Sequence, residues 1–331
     1  MILRILFADP MLRMLVGAIL LAAFLPVSGA SREVAQSVAD VAIFLLFLLN
    51  GMRIARKDMR AGFANWRFFL PLILWVFGSL AVMGFGANLV AALLMPPLIA
   101  TGFLYLGVLP STVQSATSYS TLGGGNIALS VIAAALLNIL GVFVSVPLFL
   151  IFGGSGEGAV GSGAIIKILL VLILPFAIGQ IVQTRTTGFI AKHKPKIVWM
   201  DRLVIAIAVY VAFSGAVTQG IWTKVGAADW AVIVALVALM LALAHCGAWL
   251  AGGALALRRP DRVSFLFAGA QKSAAIGVPL AAVLFPPDVA GFVVVPLLLY
   301  HLFQLVLAAP LSTRLARHPD AAGYNEGTTR S

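Results

Sequence analysis

Apolar blocks of about 20 residues follow one another along almost the whole sequence, and each is long enough to cross a bilayer as one α-helix. Charged residues make up only 10% of the chain, compared with about a quarter in a typical soluble domain. We therefore predict an all-α polytopic membrane protein. Its ten predicted spans are residues 14–28, 36–52, 68–92, 97–122, 126–152, 164–184, 203–221, 230–256, 263–285 and 289–313.

The distribution of basic residues predicts the orientation of these spans. The chain has 22 Lys and Arg against 11 Asp and Glu, a net charge of +11. Eighteen of the 22 basic residues lie at the termini or in the connections that follow spans two, six and eight, all on one side of the membrane. An excess of Lys and Arg marks the cytoplasmic side. Both termini are therefore predicted to be cytoplasmic, and the charge excess indicates topology rather than a nucleic-acid partner.

The chain is predicted to be a single membrane domain made of two halves, residues 1–152 and 164–313. Residues 314–331 are polar and are expected to form a disordered cytoplasmic tail. The glycine-rich residues 153–163 predict a flexible linker on the outer side. The N-terminal segment also resembles a cleavable signal peptide, but a retained first helix is preferred because cleavage would leave an odd number of spans. The single cysteine, Cys246, excludes a disulfide framework and a cysteine-based metal site.

Ten spans divide into five plus five, and a repeat with an odd number of spans must insert its second copy upside down, as in many membrane carriers. Span four contains the run LPSTVQSATSYSTLGGGN and span nine contains FAGAQKSAAIGVP. Each has a glutamine followed by small and hydroxyl residues, Gln114 and Gln271, which are 157 positions apart. Each also has helix breakers, with Pro110 ahead of the first glutamine and Gly269 and Gly277 with Pro279 around the second. The pattern predicts broken helices at equivalent places in an inverted repeat.

A broken helix exposes half-helix ends inside the membrane, with partial positive charge at an N-terminus and partial negative charge at a C-terminus. Such ends are tolerated only where they are buried in protein or line a cavity, and they suit an anionic substrate and a small cation respectively. We expect spans four and nine to cross, with Gln114 and Gln271 within reach of a shared ligand or of each other. The alternative is that the hydroxyl groups bond to their own helix and the glycines permit close packing.

The sequence resembles the bile acid:sodium symporter superfamily, and within it the bacterial SBF-like branch. The resemblance is carried by Leu109 to Val131, Ala268 to Phe285 and Pro296 to Arg317. It implies a panel of spans one, two, six and seven packed against a six-span core in which spans four and nine unwind and cross. It also implies sodium-coupled transport of organic anions and a location in the bacterial inner membrane.

By position, the resemblance places polar residues of spans four, five and nine in the binding site. Ser115, or its neighbours Gln114 and Thr117, matches the ion-binding segment of span four, Ser130 matches a hydroxyl ligand, and Gln271 matches a conspicuous glutamine. Possible sodium ligands are Ser115, Ser130 and Gln271, and no other cofactor is expected. The full set of candidate substrate- or ion-binding residues is Ser111, Thr112, Gln114, Ser115, Thr117, Asn126, Ser130, Gln271, Lys272, Ser273, His301 and Gln304.

Two of these candidates come with an alternative drawn from helix geometry. Asn126 follows three glycines and is better interpreted as a helix N-cap than as a ligand. His301 and Gln304 are three residues apart, so they share one face of span ten. That face is expected to line the site, although a membrane histidine is equally compatible with a hydrogen-bonded packing role.

Lys272 departs from the family pattern and is the one basic residue in the middle of a span. It stands where the family has an asparagine, and Phe267 occupies the position of a glutamate that coordinates sodium in bile-acid symporters. A charged residue at this depth costs about 2.5–3.5 kcal/mol on insertion scales, so it faces the protein interior or water and is functional by default. The ammonium either stands where sodium would bind, among Gln271, Ser115 and half-helix carbonyls, or pairs with an anionic substrate. The remaining alternative is a lysine that snorkels to the interface.

These patterns favour a secondary transporter for a small organic anion, coupled to sodium or, through a Lys272 amine that binds and releases a proton, to protons. The expected partners are the anionic small molecule and the lipid bilayer, with no protein partner implied. An intramembrane enzyme is the first alternative, but no HExxH motif is present and Lys272 and Ser273 point about 100° apart on a helix, a poor geometry for a catalytic pair. A passive facilitator without ion coupling is the second, and no ring of acidic residues supports a channel.

Overall fold

The computed structural model describes residues 9–54, 65–153 and 162–317, and the regular structure within these ranges is entirely helical. Two five-residue π-helical turns, Trp75–Ser79 and Leu169–Ile173, interrupt longer helices. The α-helices are α1 (Pro10–Phe24), α2 (Ala30–Arg53), α3 (Trp66–Leu74), α4 (Leu80–Ala92), α5 (Pro97–Val108), α6 (Gln114–Leu122), α7 (Ile127–Ile151), α8 (Ser162–Ile168), α9 (Leu174–Thr218), α10 (Ile221–Lys224), α11 (Ala227–Ala254), α12 (Arg259–Ala270), α13 (Ala274–Leu284), α14 (Pro287–Val293) and α15 (Val295–Ala316).

Seven helical stretches among the described residues are long and apolar enough to cross a membrane, which confirms a polytopic membrane protein. α1 and α5 are shorter apolar helices. Predicted span four corresponds to α5 plus α6, and predicted spans six and seven lie in one helical stretch. Residues 154–161 of the predicted outer linker (153–163) and residues 318–331 of the predicted tail (314–331) lie outside the described residues. Ser162 and Gly163 of that linker begin α8, and Arg314 to Ala316 of that tail are helical. The seven stretches are Ala30–Arg53, Trp66–Ala92, Ile127–Ile151, Ile166–Thr218, Ala227–Ala254, Arg259–Leu284 and Pro287–Ala316.

α9 has 45 residues, which corresponds to about 68 Å at the rise of a straight helix, more than twice the thickness of a bilayer core. Its contacts with α2 show how this length is used. The first part of the stretch and its last part run past α2 in opposite directions, so the chain reverses between Gln180 and Asp201. The contacts that establish this are Lys167 with Asp40, Gln180 with Gly51, Asp201 with Arg53, and Gly215 with Arg32.

α4 and α5 pack with their backbones in contact because each has a glycine at the contact point. A Cβ atom added to Gly107 would lie 2.8 Å from the Cα atom of Gly84, and one added to Gly84 would lie 2.6 Å from the Cα atom of Gly107. Real side chains do not approach backbone this closely. The pair therefore fixes the position of the end of α5, just before the chain breaks.

The chain breaks within both predicted spans, but in span nine the break precedes Gly277 and Pro279, which lie inside α13. α5 ends at Val108, and Leu109 is extended at ψ 151°, as expected for a residue that precedes proline. The helix resumes as α6 at Gln114. α12 ends at Ala270, Gln271 is extended at ψ 149°, and Ser273 caps the start of α13 by accepting a hydrogen bond from the Ile276 amide at 3.2 Å. Residues 109–113 and 271–273 are therefore two non-helical connections, here called break four and break nine.

Candidate functional site

Break four and break nine are in direct contact. The backbone amide of Ser273 donates to the carbonyl of Pro110 at 3.0 Å. The Ser115 hydroxyl donates to Oε1 of Gln271, whose side chain is completely buried. The glutamine of span nine therefore pairs with Ser115, while Gln114 is exposed at the start of α6.

The Lys272 ammonium is buried at this contact, with 2% of the residue exposed. Its Nζ atom donates to the carbonyl oxygens of Leu109 at 2.6 Å and of Gly107 at 2.8 Å, and lies 3.4 Å from that of Val76 in the first π-helical turn. The last carbonyls of a helix have no partner within it and form its negative end. The amine therefore bonds to the C-terminal end of α5, and its three N–H groups are all directed at backbone oxygens.

Every carbonyl from Gly107 to Ser111 is hydrogen-bonded across helices. Lys272 binds the carbonyls of Gly107 and Leu109, and the Ser273 amide binds that of Pro110. Ser145 of α7 donates to Val108 O at 2.9 Å, and Asn138 of α7 donates to Ser111 O at 3.2 Å. Neither residue of α7 is among the candidate binding residues predicted from the sequence. An Asn within an otherwise apolar helix was the signal for Asn138, because a buried amide requires partners.

α15 supplies the equivalent support for break nine. The Tyr300 hydroxyl donates to Ala270 O at 2.6 Å. The Gln304 side chain accepts from the Lys272 amide at 2.8 Å and donates to the Lys272 carbonyl at 3.1 Å, and its Nε2 lies 2.9 Å from His301 Nδ1. His301 and Gln304 do share one face, as predicted, but their hydrogen bonds go to each other and to the backbone of break nine.

Several polar atoms near the breaks have no hydrogen-bond partner among the described residues. They include Nε2 of Gln271 and Oγ of Ser111, both of which are buried. The first-turn amides of α6, from Gln114 onward, have no acceptor within the helix. Thr112 is also buried at 7% exposure, and Thr117 donates to Val113 O at 2.6 Å. Unused donors therefore gather at the N-terminal end of α6.

Ser130 belongs to a buried hydroxyl cluster formed by Ser120, Ser130 and Ser264. The three Oγ atoms lie 2.7–3.1 Å apart. Ser130 and Ser264 also donate to the carbonyl of Asn126 at 2.9 and 3.0 Å. The Ser130 hydroxyl thus bonds to this cluster and to none of the atoms of Ser115 or Gln271.

Asn126 is the N-cap of α7, and its side chain accepts from the Leu129 amide at 3.2 Å and donates to Asp261 at 2.8 Å. Phe267, at the position where the resembled family has a glutamate, is completely buried with its ring 6.2 Å from that of Tyr119. The described residues contain no cluster of three or more His, Cys, Asp or Glu able to hold a metal ion.

Comparison with known proteins identifies the family to which this chain is similar. The model of the SBF-like CPA transporter family matches residues 9–317. Protein PA2026 of Pseudomonas aeruginosa is 35% identical over 323 residues, which cover 96% of each chain. YfeH of Escherichia coli K12, named as a candidate symporter, is 34% identical over 313 residues and 94% of each chain. Sodium/bile acid cotransporter 7 of Mus musculus is 22% identical over 313 residues, 89% of this chain and 88% of the mouse protein.

Proposed function

The chain belongs to the SBF-like CPA transporter family, and we propose that it is a secondary transporter of a small organic anion in which the Lys272 ammonium replaces a bound cation. The family is one of transporters and not of enzymes, so its members act on a small-molecule substrate within a lipid bilayer. The intramembrane enzyme considered above is therefore set aside.

The proposed architecture is a ten-span, five-plus-five inverted repeat with a panel and a core. Residues 1–152 and 164–313 are its two halves, in the bacterial inner membrane with both termini cytoplasmic. The contact between break four and break nine supports it, because crossing broken helices at equivalent positions are the expected site of such a carrier. The reversal of the chain within α9 supports two separate spans there.

The observation that carries the proposal is the pair of hydrogen bonds from Lys272 Nζ to Leu109 O and Gly107 O, at 2.6 and 2.8 Å. In carriers of this kind, exposed carbonyls at half-helix ends coordinate the coupling cation. Here the ammonium of Lys272, which is part of the chain itself, is hydrogen-bonded to those carbonyls. Since all its N–H groups point at backbone oxygens, this state favours the substitute-cation hypothesis over direct pairing with a substrate.

The anion is proposed to bind at the N-terminal end of α6. This end presents unpaired amides and partial positive charge. The buried Nε2 of Gln271, which has no partner among the described residues, adds a second donor beside Ser115. Ser111, Thr112 and Ser273 surround the same connection and complete the proposed site.

Coupling to sodium and coupling to protons are distinguished by where each ion would bind. The relative named a sodium/bile acid cotransporter makes sodium the first candidate, and the hydroxyl cluster of Ser120, Ser130 and Ser264 offers neutral oxygens for it. Proton coupling would use the Lys272 amine. The two predict uptake driven by a sodium gradient or by a pH gradient respectively.

The proposal is tested on purified protein by a thermal-shift screen of organic anions with and without sodium, followed by uptake into proteoliposomes. Lys272→Met should reduce uptake of the selected anion by at least about tenfold, the loss of roughly 1.4 kcal/mol of interaction. Lys224→Met, at an exposed lysine in α10, is the matched control. Unchanged rate and unchanged ion dependence in Lys272→Met would refute the role of the ammonium.

A further inference from the structure

The side chain of Gln304 is hydrogen-bonded to both backbone polar groups of Lys272, its amide N–H and its carbonyl oxygen. Residues 271–273 lie outside α12 and α13, so the amide and carbonyl of Lys272 have no partner within a helix. The Gln304 side chain accepts from the Lys272 amide N–H at 2.8 Å and donates to the Lys272 carbonyl at 3.1 Å, and Gln304 is completely buried. In this way Gln304 supplies the hydrogen bonds that a continuous helix would have made.

This arrangement determines the orientation of the Gln304 amide. A backbone N–H can only donate and a backbone carbonyl can only accept, so Oε1 must face Lys272 N and Nε2 must face Lys272 O. The second hydrogen on Nε2 then points to His301 Nδ1, 2.9 Å away. Since an amide nitrogen cannot accept, Nδ1 must be the acceptor. His301 is therefore neutral, with its proton on Nε2, an atom that is buried without a partner among the described residues.

We propose that Gln304 is the positioning residue for Lys272 and that His301 makes this positioning sensitive to protonation. A proton added at His301 Nδ1 would face the Nε2 hydrogens of Gln304. Flipping the Gln304 side-chain amide would relieve that contact. It would, however, place the Nε2 donor against the Lys272 N–H donor and the Oε1 acceptor against the Lys272 carbonyl acceptor. Because the His301 ring also lies within hydrogen-bond reach of the Lys272 backbone, a proton on Nδ1 can be donated to the Lys272 carbonyl in place of Gln304. Both hydrogen bonds from Gln304 to Lys272 are then lost or rearranged, and the hold of Gln304 on break nine is weakened.

The other titratable groups around His301 define what else could produce a pH response. The elements packed against α15 carry Tyr105 in α5, Tyr119 in α6 and His245 in α11, and Lys272 lies in break nine. The charge of Asp9, ahead of α1, and a hydrogen bond with the Lys272 backbone also act on His301. The Lys272 ammonium is directed away, toward the carbonyls of Gly107 and Leu109. The consequence for transport rests on the proposed function, but the hydrogen-bond network does not, so the two can be tested separately.

The test uses the full chain in lipid nanodiscs, labelled with ¹⁵N-lysine or ¹⁵N-histidine, and needs no substrate. The sequence has seven lysines and four histidines, so the signals can be assigned with single variants such as Lys272→Arg and His301→Asn. At high pH, His301 should show the tautomer with the proton on Nε2. As the pH is lowered, the Lys272 amide signal should move with the same midpoint as His301, and this amide should exchange with solvent about two- to tenfold faster, the effect of losing one hydrogen bond.

Variants separate positioning from general packing. His301→Asn retains an acceptor where Nδ1 lies but cannot titrate, so the part of the Lys272 amide response that follows the His301 midpoint should be absent, and only a change with the midpoint of the Lys272 amine, read from its own ¹⁵Nζ signal, should remain. Gln304→Leu should place the Lys272 amide signal at the displaced position at every pH. Asp9→Asn should change the midpoint without abolishing the response. His245→Leu, at the other buried histidine of a span, should leave the response intact.

Three results would overturn the proposal. One is a His301 tautomer with the proton on Nδ1 at high pH. Another is a Lys272 amide signal that does not follow the ionisation of His301. The third is a Lys272 amide response with the His301 midpoint that persists in His301→Asn. All three remain measurable if Gln304→Leu fails to fold, because the first two use the wild-type chain.

Discussion

If the Lys272 ammonium replaces a cation, removing it should create a sodium site. Lys272→Asn removes the charge, shortens the side chain and adds an amide oxygen beside the carbonyls of Gly107 and Leu109. Lys272→Met also removes the charge, but its unbranched apolar chain fills most of the lysine volume. We therefore expect sodium to stabilise Lys272→Asn, and to have no specific effect at this site in Lys272→Met or in the wild-type protein.

The expected magnitude follows from what the ammonium contacts. Its removal leaves two buried carbonyls without a partner, at about 1–3 kcal/mol each, but also removes the cost of burying a charge, which is several kcal/mol. The two effects oppose each other, so both variants should fold. Sodium at ten times its dissociation constant would then add about 1.4 kcal/mol to Lys272→Asn, which corresponds to roughly 3–5 °C in melting temperature for a domain of 150–250 residues and less for a longer chain.

The measurement is a thermal unfolding scan of each purified protein across a series of sodium concentrations, with choline replacing sodium at constant ionic strength. A saturable increase confined to Lys272→Asn supports the substitution of lysine for a cation. An equal sodium response in wild type and both variants would place sodium elsewhere, with the hydroxyl cluster around Ser130 as the first alternative. A lack of response in Lys272→Asn, with the protein folded, would refute the reasoning.

Two further predictions concern topology and packing. Cysteine introduced at Ser155 in a cysteine-free background should react with a membrane-impermeant maleimide added to intact cells, because the basic residues place this segment outside; reaction only after lysis would contradict the proposed orientation. Gly107→Ala should destabilise the protein by about 1–3 kcal/mol, because its Cβ would lie 2.8 Å from Gly84. Gly86→Ala, which meets nothing within 4 Å, is the control and should be neutral in the same thermal scan.

The membrane class, the presence of a break in each of spans four and nine and the exceptional character of Lys272 could be predicted from the sequence, whereas Gly277 and Pro279, predicted as breakers, lie inside α13. Each depends on a property of a short segment. The length of an apolar block determines whether it spans a bilayer, Pro110 prevents Leu109 from continuing a helix, and a mid-span charge is costly in any fold. The helical period likewise predicted that His301 and Gln304 share one face of α15.

The partners of these groups were decided only by the tertiary structure. One of the interpretations drawn from the sequence placed Lys272 among Gln271, Ser115 and half-helix carbonyls. In the structure its Nζ bonds to carbonyls alone, while Gln271 and Ser115 bond to each other. The sequence also grouped Ser130 with that pair, whereas the Ser130 hydroxyl bonds to Ser120 and Ser264.

The physical reason is the separation along the chain of the groups that meet. Lys272 lies 163 residues from Leu109 and 32 from Gln304. A local pattern shows which residues share a helix face, but which atoms meet depends on how the helices pack, as at the glycine contact of α4 with α5. That packing brings the C-terminal end of α5 to the Lys272 ammonium and the side-chain amide of Gln304 to the Lys272 backbone.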